Sequence, residues 1–536
     1  MDREQNVSRL KNESFDMLVI GGGATGTGIA LDAATRGLNV ALVERDDFSA
    51  GTSSRSTKLI HGGVRYLEKA VKQLDRTQFN LVRDALKERA VLIKIAPHLA
   101  KPLPIVTPLY SMIQVPYFMT GLKLYDALAG KANLAPSRYI DAKEAINRFP
   151  MLKKKGLRGG VLYYDGQFDD ARMNIIIALT ADQQGAAIAN HVEVKALTKE
   201  NGTISGATLH DTLSGDAWDV QAKVVVNATG PFTDKIRHLD DPDAPKMLTA
   251  SSGIHVILDK SFSPPETGLL IPETEDGRVL FLLPWLDHTL VGTTDNPAQI
   301  EDNPKANEEE IEYVLRHVRK YFDAPVERSD VLATWSGLRP LVSDPKAADT
   351  AQLSRDHVVN ISDSGLLTIA GGKWTTYRKM ALDAVDEAVK LGKLEPKQGS
   401  QTENTMLLGG EDFNPIGAGH LQDDYDLDLD VAVYLNRAYG DQAPKIAELA
   451  TNGHAGRLVE HHPYLEAEIV YGAKYEGTRN IVDALARRTR IGFLDKKATE
   501  KVIPRVAELL GETLGWDEER LEREKQDAQN YFAQPT

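Results

Sequence analysis

The sequence predicts an α/β protein with an N-terminal Rossmann-type domain, an inserted domain built on an antiparallel sheet, and a C-terminal α-helical domain. Three observations lead to this prediction: a glycine-rich strand–turn–helix–strand unit near the N terminus, strand-like segments through the middle of the chain, and a charged helical pattern beyond about residue 397. At 536 residues the chain is too long for one hydrophobic core, so two or three domains are expected.

The glycine-rich unit spans Asp16 to Glu44, and residues 17–20 are apolar without alternation, as in a strand buried on both faces. The G-x-G-x-x-G spacing follows, formed by Gly21, Gly23 and Gly26. These glycines allow a tight turn, a close approach of backbone to a pyrophosphate, and packing of the next helix on the strand. A second strand ends in Glu44, whose carboxylate can accept both hydroxyls of an adenosine ribose. The unit predicts a dinucleotide site at a helix N terminus.

A polar loop, Ala50 to Glu68, follows and reads A-G-T-S-S-R-S-T-K-L-I-H-G-G-V-R-Y-L-E. Its hydroxyls, lysine and glycines suit a loop that wraps a cofactor, and a solvated loop is the alternative. The stretch from Gly51 onward resembles the signature of FAD-dependent glycerol-3-phosphate dehydrogenases. Three later stretches agree with this resemblance: S-G-L-R-P-L at 336–341, S-R-D-H at 354–357 and G-G-K-W-T-T-Y-R at 371–378. The similarity runs from about Asp16 to about Asp495 and departs at Trp374, where the family usually has leucine.

Later segments fit the domains that the resemblance implies. Ser252–Leu258 and Val279–Thr294 are strand-like, and a capped helix is predicted to begin at Asp169 or Asp170. The resemblance implies an FAD-binding domain from residues 15–75, 185–235 and 356–396, a substrate-binding domain from 76–184 and 236–355, and a helical domain from 397–536.

The resemblance also implies non-covalent FAD, since the chain has no cysteine for a thioether link. The residues expected to contact FAD lie in the glycine turn, the polar loop and the later turns. They are Gly21, Gly23, Ala24, Thr25, Gly26, Glu44, Arg45, Thr52, Ser53, Ser54, Lys58, Leu59, His61, Gly63, Val194, Ala228, Gly230, Asp295, Gly372, Lys373 and Thr375.

The implied reaction oxidises sn-glycerol 3-phosphate to dihydroxyacetone phosphate by hydride transfer from C2 to flavin N5. A lone histidine in a strand is usually structural, but the matching histidine of the family lies by the flavin, so His255 is expected to be the general base. Arg339 is expected to polarise the developing alkoxide. Arginine forks match phosphate oxygens. The residues expected at the phosphate or the flavin–substrate interface are Arg65, Tyr66, Arg355 and Lys373.

An uncharged run, Pro102 to Leu122, lies between Lys101 and Lys123. Its four prolines argue against a transmembrane helix. It is either a buried β-segment of the second domain or an apolar surface that dips into one leaflet without spanning it. In the second case the protein is cytoplasmic and peripherally attached to the cytoplasmic membrane, and it passes electrons to the quinone pool.

Charge and composition limit the other partners. A net charge of −14 argues against non-specific nucleic-acid binding. Residues 1–14 are charged and lack an apolar core, so they predict a frayed tail rather than a secretory signal. Asp424, Asp426 and Asp428 have the spacing of a calcium loop, but leucines replace the required glycine and glutamate, so no metal site is expected.

Several alternatives stay open at this point. An FAD-dependent amine or amino-acid oxidase would share the nucleotide motif, and a glycerol-3-phosphate oxidase would use oxygen in place of quinone. The oligomeric state is open, with a homodimer as one alternative. The C-terminal stretch A-R-R-T-R-I-G-F-L-D at 486–495 also resembles the family, and its arginines form either an interface or a solvated basic face.

Overall fold

A computed structural model describes residues 1–63, 76–343 and 356–533. Its strands, in chain order, are β1 (Ser14–Ile20), β2 (Val40–Val43), β3 (Leu59–Ile60), β4 (Ala100–Leu109), β5 (Arg138–Asp141), β6 (Gly159–Phe168), β7 (Ala187–Ala189), β8 (Val192–Glu200), β9 (Thr203–Asp211), β10 (Ala217–Asn227), β11 (Leu248–Asp259), β12 (Gly268–Ile271), β13 (Leu280–Trp285), β14 (His288–Gly292), β15 (Asn296–Pro297), β16 (Val331–Val342), β17 (His357–Ile361) and β18 (Leu367–Gly371).

The α-helices are α1 (Arg3–Asn12), α2 (Ala24–Thr35), α3 (Arg76–Ile95), α4 (Gln114–Ala129), α5 (Ala142–Arg148), α6 (Asp170–Gln183), α7 (Thr233–Asp240), α8 (Glu308–Tyr321), α9 (Tyr377–Gly392), α10 (Gly417–Tyr425), α11 (Leu429–Tyr439), α12 (Ala443–Leu449), α13 (Glu466–Tyr475), α14 (Ile491–Leu494), α15 (Lys496–Leu514) and α16 (Glu518–Phe532). A π-helical segment, Asp483–Arg488, precedes α14.

The first sheet is the predicted Rossmann-type unit. Its strand order is β17-β18-β10-β1-β2-β7, and β9 and β8 extend it from β10. The pairs β1–β2, β1–β10, β2–β7 and β10–β18 are parallel. The carboxyl ends of β1, β10 and β18 lie side by side, so the turns that follow them meet at one edge of the sheet.

The second sheet has ten strands in the order β15-β11-β14-β13-β12-β4-β6-β3, with β16 paired to β11 and β5 to β6. It is antiparallel, as predicted, except where β12 and β4 run parallel. The long β11–β16 ladder pairs His255 with Trp335 and Ser251 with Arg339. This ladder brings the motifs of two distant segments to one face.

Helix packing locates the core of the first sheet. Helices α2, α6 and α9 pack together, and Ile29, Ile177 and Ala384 lie in one buried cluster. Helix α6 begins at Asp170, and Asp169 caps it by accepting N–H groups of Ala171 and Arg172, which confirms the predicted helix start. The domain limits expected from the sequence put α6 with the substrate sheet, but its apolar face packs on α2.

The N-terminal segment corrects one expectation. Residues 3–12 form a helix in place of a frayed tail. Leu10 is fully buried, and the Arg3 guanidinium contacts an Asp211 carboxylate oxygen at 2.9 Å. Tertiary contacts with β7 and β10 therefore order a segment whose composition alone gives no such signal.

The uncharged run Pro102–Leu122 divides into a buried strand and a more exposed apolar segment. Residues 100–109 form the buried strand β4, paired with β6 along its length. The second half turns outward and begins α4. Met112, Ile113 and Tyr117 have exposed fractions of 55%, 88% and 50%. No helix among the described residues is long and apolar enough to cross a membrane.

The C-terminal helices pack on the second sheet. Trp285 and Trp335 of that sheet share a buried cluster with Leu485 and Phe493. Residues 486–490 carry the three arginines of the A-R-R-T-R stretch, and each is at most 3% exposed. These arginines form an interface, which decides between the two alternatives that the sequence left open.

Candidate active site

One large cavity, of about 1910 Å³, lies between the two sheets. The glycine turn after β1, the polar loop after β2 and the turns after β10 and β18 form one part of its wall. Strands β11 and β16 form the opposite part, and C-terminal residues such as Asp483, Arg487 and Tyr531 close one end. The glycine turn, the polar loop and the segments around residues 336–341 and 371–378 therefore all reach this cavity.

The glycine turn leaves room only for backbone. A Cβ on Gly21, whose φ is +109°, would meet the carbonyl oxygen of Ala228 at 2.7 Å. A Cβ on Gly23 would meet Ser53 Oγ at 2.9 Å, and one on Gly26 would overlap the Gly21 carbonyl oxygen. Gly23 is the N-cap of α2 and has no side chain that could accept the N–H groups of the first turn. The N terminus of this helix lies at the cavity, where such groups can bind an anion.

Glu44 lies beside this turn, and its carboxylate accepts two hydrogen bonds from backbone N–H groups. Its Oε2 accepts the Gly22 N–H at 2.6 Å, and its Oε1 accepts the Asp46 N–H at 2.9 Å. Burial and the nearby Asp46 carboxylate raise the pKa of Glu44 to about 7. The oxygens keep further lone pairs, so the carboxylate can also accept ribose hydroxyls.

The polar loop is tied to both sheets. Ser53 Oγ accepts the Ala24 N–H at 2.9 Å, and the Thr52 hydroxyl donates to the Leu338 carbonyl oxygen at 2.7 Å. The Trp374 indole N–H donates to the Ser53 carbonyl oxygen at 2.9 Å, and its ring packs on Phe168 at 4.8 Å. The tryptophan at this unusual position thus fixes local packing beside the loop.

His255 occupies the opposite wall. Its ring stacks on Trp335, with centroids 4.0 Å apart, and its Nε2 lies 3.0 Å from Thr57 Oγ1. The Nδ1 atom is buried and has no hydrogen-bond partner among the described residues. Burial, with the positive charges of Lys58 and Arg339, holds the pKa of His255 well below its ordinary value. The imidazole is therefore neutral at pH 7.

Arg339 lies near His255 and donates to four acceptors among the described residues. Its guanidinium donates to the Ser252 and Thr294 carbonyl oxygens at 3.2 and 2.9 Å, to Thr293 Oγ1 at 3.1 Å and to Asp295 Oδ1 at 3.2 Å. A Cβ on Gly253 would overlap this guanidinium, so the glycine makes space for it. The group is fixed in orientation and faces the cavity.

The segment after β18 completes the wall beside the polar loop. Lys373 and Thr375 line the cavity, and Thr375 Oγ1 accepts the His61 N–H at 3.3 Å. Gly371 and Gly372 both have positive φ, near +80°, and allow the sharp turn between the strand and the helical segment. This turn brings Lys373 to the cavity.

Most of the residues predicted for FAD line this cavity, and three do not. Gly26 packs under the turn, Ser54 is buried, and the Lys58 ammonium lies 2.7 Å from an Asp170 carboxylate oxygen in the protein interior. Lys58 is corrected to a buried ion pair, because the chain turns its side chain toward α6. Arg65, Tyr66 and Arg355 lie outside the described residues.

Sequence reasoning missed Arg278 and Thr57. Arg278 lines the cavity and donates to the Asp295 carbonyl oxygen. In the sequence, the position of Arg278 directly before the apolar segment that begins at Val279 was the one feature that could have indicated a role in the site. Thr57 lay within the recognised polar loop, but its pairing with His255 depends on the docking of two segments 198 residues apart.

The cavity fits an FAD molecule in its chemistry. It combines a glycine cradle at a helix N terminus for a pyrophosphate, a carboxylate for a ribose, and long walls that bring these groups into the same cavity as His255 and Arg339. The cavity is large enough for a dinucleotide together with a small substrate, since ordinary ligand pockets measure about 300–1,000 Å³.

Comparisons with known proteins agree with this fit. Residues 16–378 match the family of FAD dependent oxidoreductases, and residues 400–521 match the C-terminal domain of alpha-glycerophosphate oxidase. A solved glycerol-3-phosphate dehydrogenase from Bacillus halodurans, complexed with FAD, is 30% identical, with a TM-score of 0.80 over 99% of this chain and 97% of that one. A glycine oxidase from Geobacillus kaustophilus, 18% identical with a TM-score of 0.54 over 74% of this chain and 99% of that one, shares the fold.

Curated relatives give a narrower family. The mitochondrial glycerol-3-phosphate dehydrogenase of Bos taurus is 51% identical over 99% of this chain and 75% of its own length. The enzyme of Homo sapiens is 50% identical, and that of Arabidopsis thaliana is 47% identical. The chain belongs to the family of FAD-dependent glycerol-3-phosphate dehydrogenases.

Proposed function

We propose that this enzyme oxidises sn-glycerol 3-phosphate to dihydroxyacetone phosphate with His255 as the base, and that it passes the electrons to a quinone at a membrane surface. The observation that carries the proposal is the meeting of neutral His255, fixed Arg339 and the nucleotide cradle in one cavity. Bound FAD supplies the hydride acceptor, N5.

His255 has the environment that a general base needs. Because the imidazole is neutral at pH 7, it can accept the proton of the C2 hydroxyl. We assign the transfer to Nε2, since Nδ1 is buried and Nε2 meets Thr57 at the cavity wall. Stacking on Trp335 fixes the plane of the ring.

Arg339 is assigned to the oxygen that gains charge as the proton leaves. Its guanidinium stays charged at all relevant pH values, and its four acceptors hold it in place before substrate binds. A fixed donor of this kind stabilises a developing alkoxide without reorganisation.

The phosphate requires further cations. Lys373 and Arg278 both line the cavity, and Arg65 and Arg355 remain predictions for the same role. In a protein with a net charge of −14, these cations make a local positive site for a dianion. An amino-acid substrate would need a single cation for its carboxylate.

The membrane part of the proposal rests on α4 and its surroundings. The exposed apolar residues Met112, Ile113 and Tyr117 form a patch at the start of this helix. Residues 123–158 carry nine lysines and arginines against three acids. The exposed basic residues among them are Lys123, Lys131, Arg138, Lys143, Lys154, Lys155 and Arg158. An apolar patch beside such a basic segment suits a bilayer with anionic headgroups.

The cavity also supports quinone as the acceptor. Ile113 and Tyr117 belong both to the exposed patch and to the cavity wall, so the cavity extends to the patch. Leu270, Val279 and Phe281 line the cavity as well. A lipid-dissolved quinone could therefore approach from the bilayer along apolar side chains.

We propose a quinone-containing membrane as the location and do not specify which membrane, since the mammalian and plant relatives are named mitochondrial and the solved relative comes from Bacillus halodurans.

The electron acceptor is tested by reoxidation of the substrate-reduced enzyme, followed in a stopped-flow instrument. A soluble quinone analogue should restore flavin absorbance much faster than air-saturated buffer does. Faster reoxidation by oxygen would instead indicate an oxidase.

A further inference from the structure

The segment between Glu44 and Lys58, which includes the start of the polar loop, has two faces. On one face Ala50, Thr52 and Ser53 line the cavity, and Ser53 also accepts the first free N–H of α2. The geometry of this loop therefore sets where the cofactor's pyrophosphate and ribose can lie. The other face is turned toward the C-terminal helical domain.

Asp47 is the first anchor on that other face. Its side chain is fully buried, and its Oδ2 accepts Arg487 Nε at 2.6 Å and Arg488 Nη1 at 2.7 Å. Arg488 also donates to Asp47 Oδ1 at 3.1 Å, which makes the contact bidentate. Asn190 donates to the remaining site on Oδ1 at 2.9 Å.

Ser54 is the second anchor. Arg490 Nη2 donates to the Ser54 carbonyl oxygen at 2.8 Å, and its guanidinium lies over the rings of Phe493 and Trp285 at 4.9 and 5.3 Å. Arg488 and Arg490 are both 1% exposed, and neither lines the cavity, whereas Arg487 does.

We propose that Arg488 and Arg490 are positioning residues for FAD, through which the C-terminal domain sets the geometry of the polar loop. They act through Asp47 and Ser54, one on each side of the segment that faces the cavity. The bidentate contact of Arg488 and the single hydrogen bond of Arg490 hold the loop against its own entropy, so the cofactor meets a preformed wall.

A buried ion pair next to Arg488 provides the control. Arg172 of α6 donates to both carboxylate oxygens of Glu476 at 2.7 and 2.8 Å. This pair is also buried and also joins the C-terminal domain to the rest of the chain. Glu476 also meets Arg488, whose Nη2 donates to the Glu476 carbonyl oxygen at 2.7 Å. Arg172 itself makes no hydrogen bond to residues 45–57 among the described residues, so Arg172→Lys disturbs the same buried cluster without removing a contact to the loop.

The test uses holoenzyme of the parent and of three variants: Arg488→Lys, Arg490→Lys and Arg172→Lys. FAD release on dilution is followed by flavin fluorescence, and the melting temperature is recorded for each variant. Both loop variants should raise the dissociation constant of FAD by about 10-fold or more, the scale of lost outer-shell support. Arg172→Lys should lower the melting temperature and leave FAD retention at the parent level.

A second measurement on the parent protein needs no variant. Removing FAD from the holoenzyme should speed hydrogen exchange of the amides of residues 483–490 more than that of the amides around Glu476, because coupling between two sites is reciprocal. The proposal is overturned if both loop variants keep FAD as the parent does. Equal weakening by Arg172→Lys, or unchanged exchange at residues 483–490, would also overturn it.

Discussion

Nε2 of His255 lies 3.0 Å from the hydroxyl oxygen of Thr57, and the same imidazole stacks on Trp335. The first contact joins the polar loop of the nucleotide unit to the long ladder of the second sheet. The two domains are thus joined at the residue to which we assign the proton transfer.

Removing this base should slow flavin reduction. His255→Ala should lower the rate of flavin reduction by sn-glycerol 3-phosphate by about 10²–10⁴-fold, the usual contribution of a general base. Anaerobic stopped-flow absorbance measures this rate. His317→Ala, which removes a fully buried histidine on α8, should cost stability and keep the parent rate. Parent-level reduction in His255→Ala would remove His255 from the mechanism.

Arg339→Leu should lower kcat/KM by about 100-fold or more, because a fixed charge at a developing oxyanion is lost. The charge of Arg339 also helps to depress the pKa of His255, after burial and Lys58. Without this charge the pKa of His255 should rise. Since the base stops working when it is protonated, the acid limb of the kcat/KM profile should move to higher pH in this variant. The exposed Arg316→Leu should change neither quantity, and an unmoved acid limb in Arg339→Leu would contradict the assigned coupling.

Glu44 should make FAD binding depend on pH. Its pKa is raised from 4.5 to about 7 without the cofactor, so the apoprotein loses stability as the pH rises through this window and the carboxylate ionises. Ribose hydroxyls need the ionised acceptor, so FAD affinity should rise by about 10-fold between pH 6 and pH 8. Glu44→Gln should flatten this dependence, and Glu44→Arg should weaken binding at every pH. Tight binding by Glu44→Arg would disprove the ribose role.

The apolar patch on α4 should control membrane attachment. Ile113→Glu with Tyr117→Glu replaces two exposed side chains, each worth about 1.5–3 kcal/mol if fully buried in lipid. We expect a folded, FAD-loaded protein that leaves anionic vesicles in a sedimentation assay and still reduces a soluble dye. Phe118, by contrast, packs against the core of the second sheet, so a charge there would test folding instead.

The matched control for this variant lies on the C-terminal helices. Ile416 and Leu429 are 77% and 60% exposed, far along the chain from α4. Ile416→Glu with Leu429→Glu should stay on the vesicles as firmly as the parent. Docking through α4 is contradicted if both double variants bind vesicles equally.

Local patterns predicted much of the nucleotide unit. The apolar strand, the glycine spacing and the terminal acid of residues 16–44 specify β1, α2 and β2 because each depends on contacts within about thirty residues. The Asp169 cap also gave the start of α6 correctly.

Features that depend on distant contacts could not be predicted in this way. Helix α1 is ordered by contacts such as Arg3 with Asp211, and Lys58 turns away from the cavity to meet Asp170. The buried arginines near residue 488 look like any exposed basic helix until Asp47 is placed beside them. Each outcome depends on which segments dock, and a single sequence contains no signal for that.

The cavity between the two sheets is expected to oxidise a secondary alcohol that carries a phosphate. The direct test is anaerobic mixing of the purified holoenzyme with sn-glycerol 3-phosphate, glycine, sarcosine or a D-amino acid, with flavin absorbance recorded over a single turnover. We expect complete bleaching with sn-glycerol 3-phosphate and none with the three amino compounds. Bleaching by an amino compound at a comparable rate, or no bleaching by sn-glycerol 3-phosphate, would contradict this assignment of the substrate.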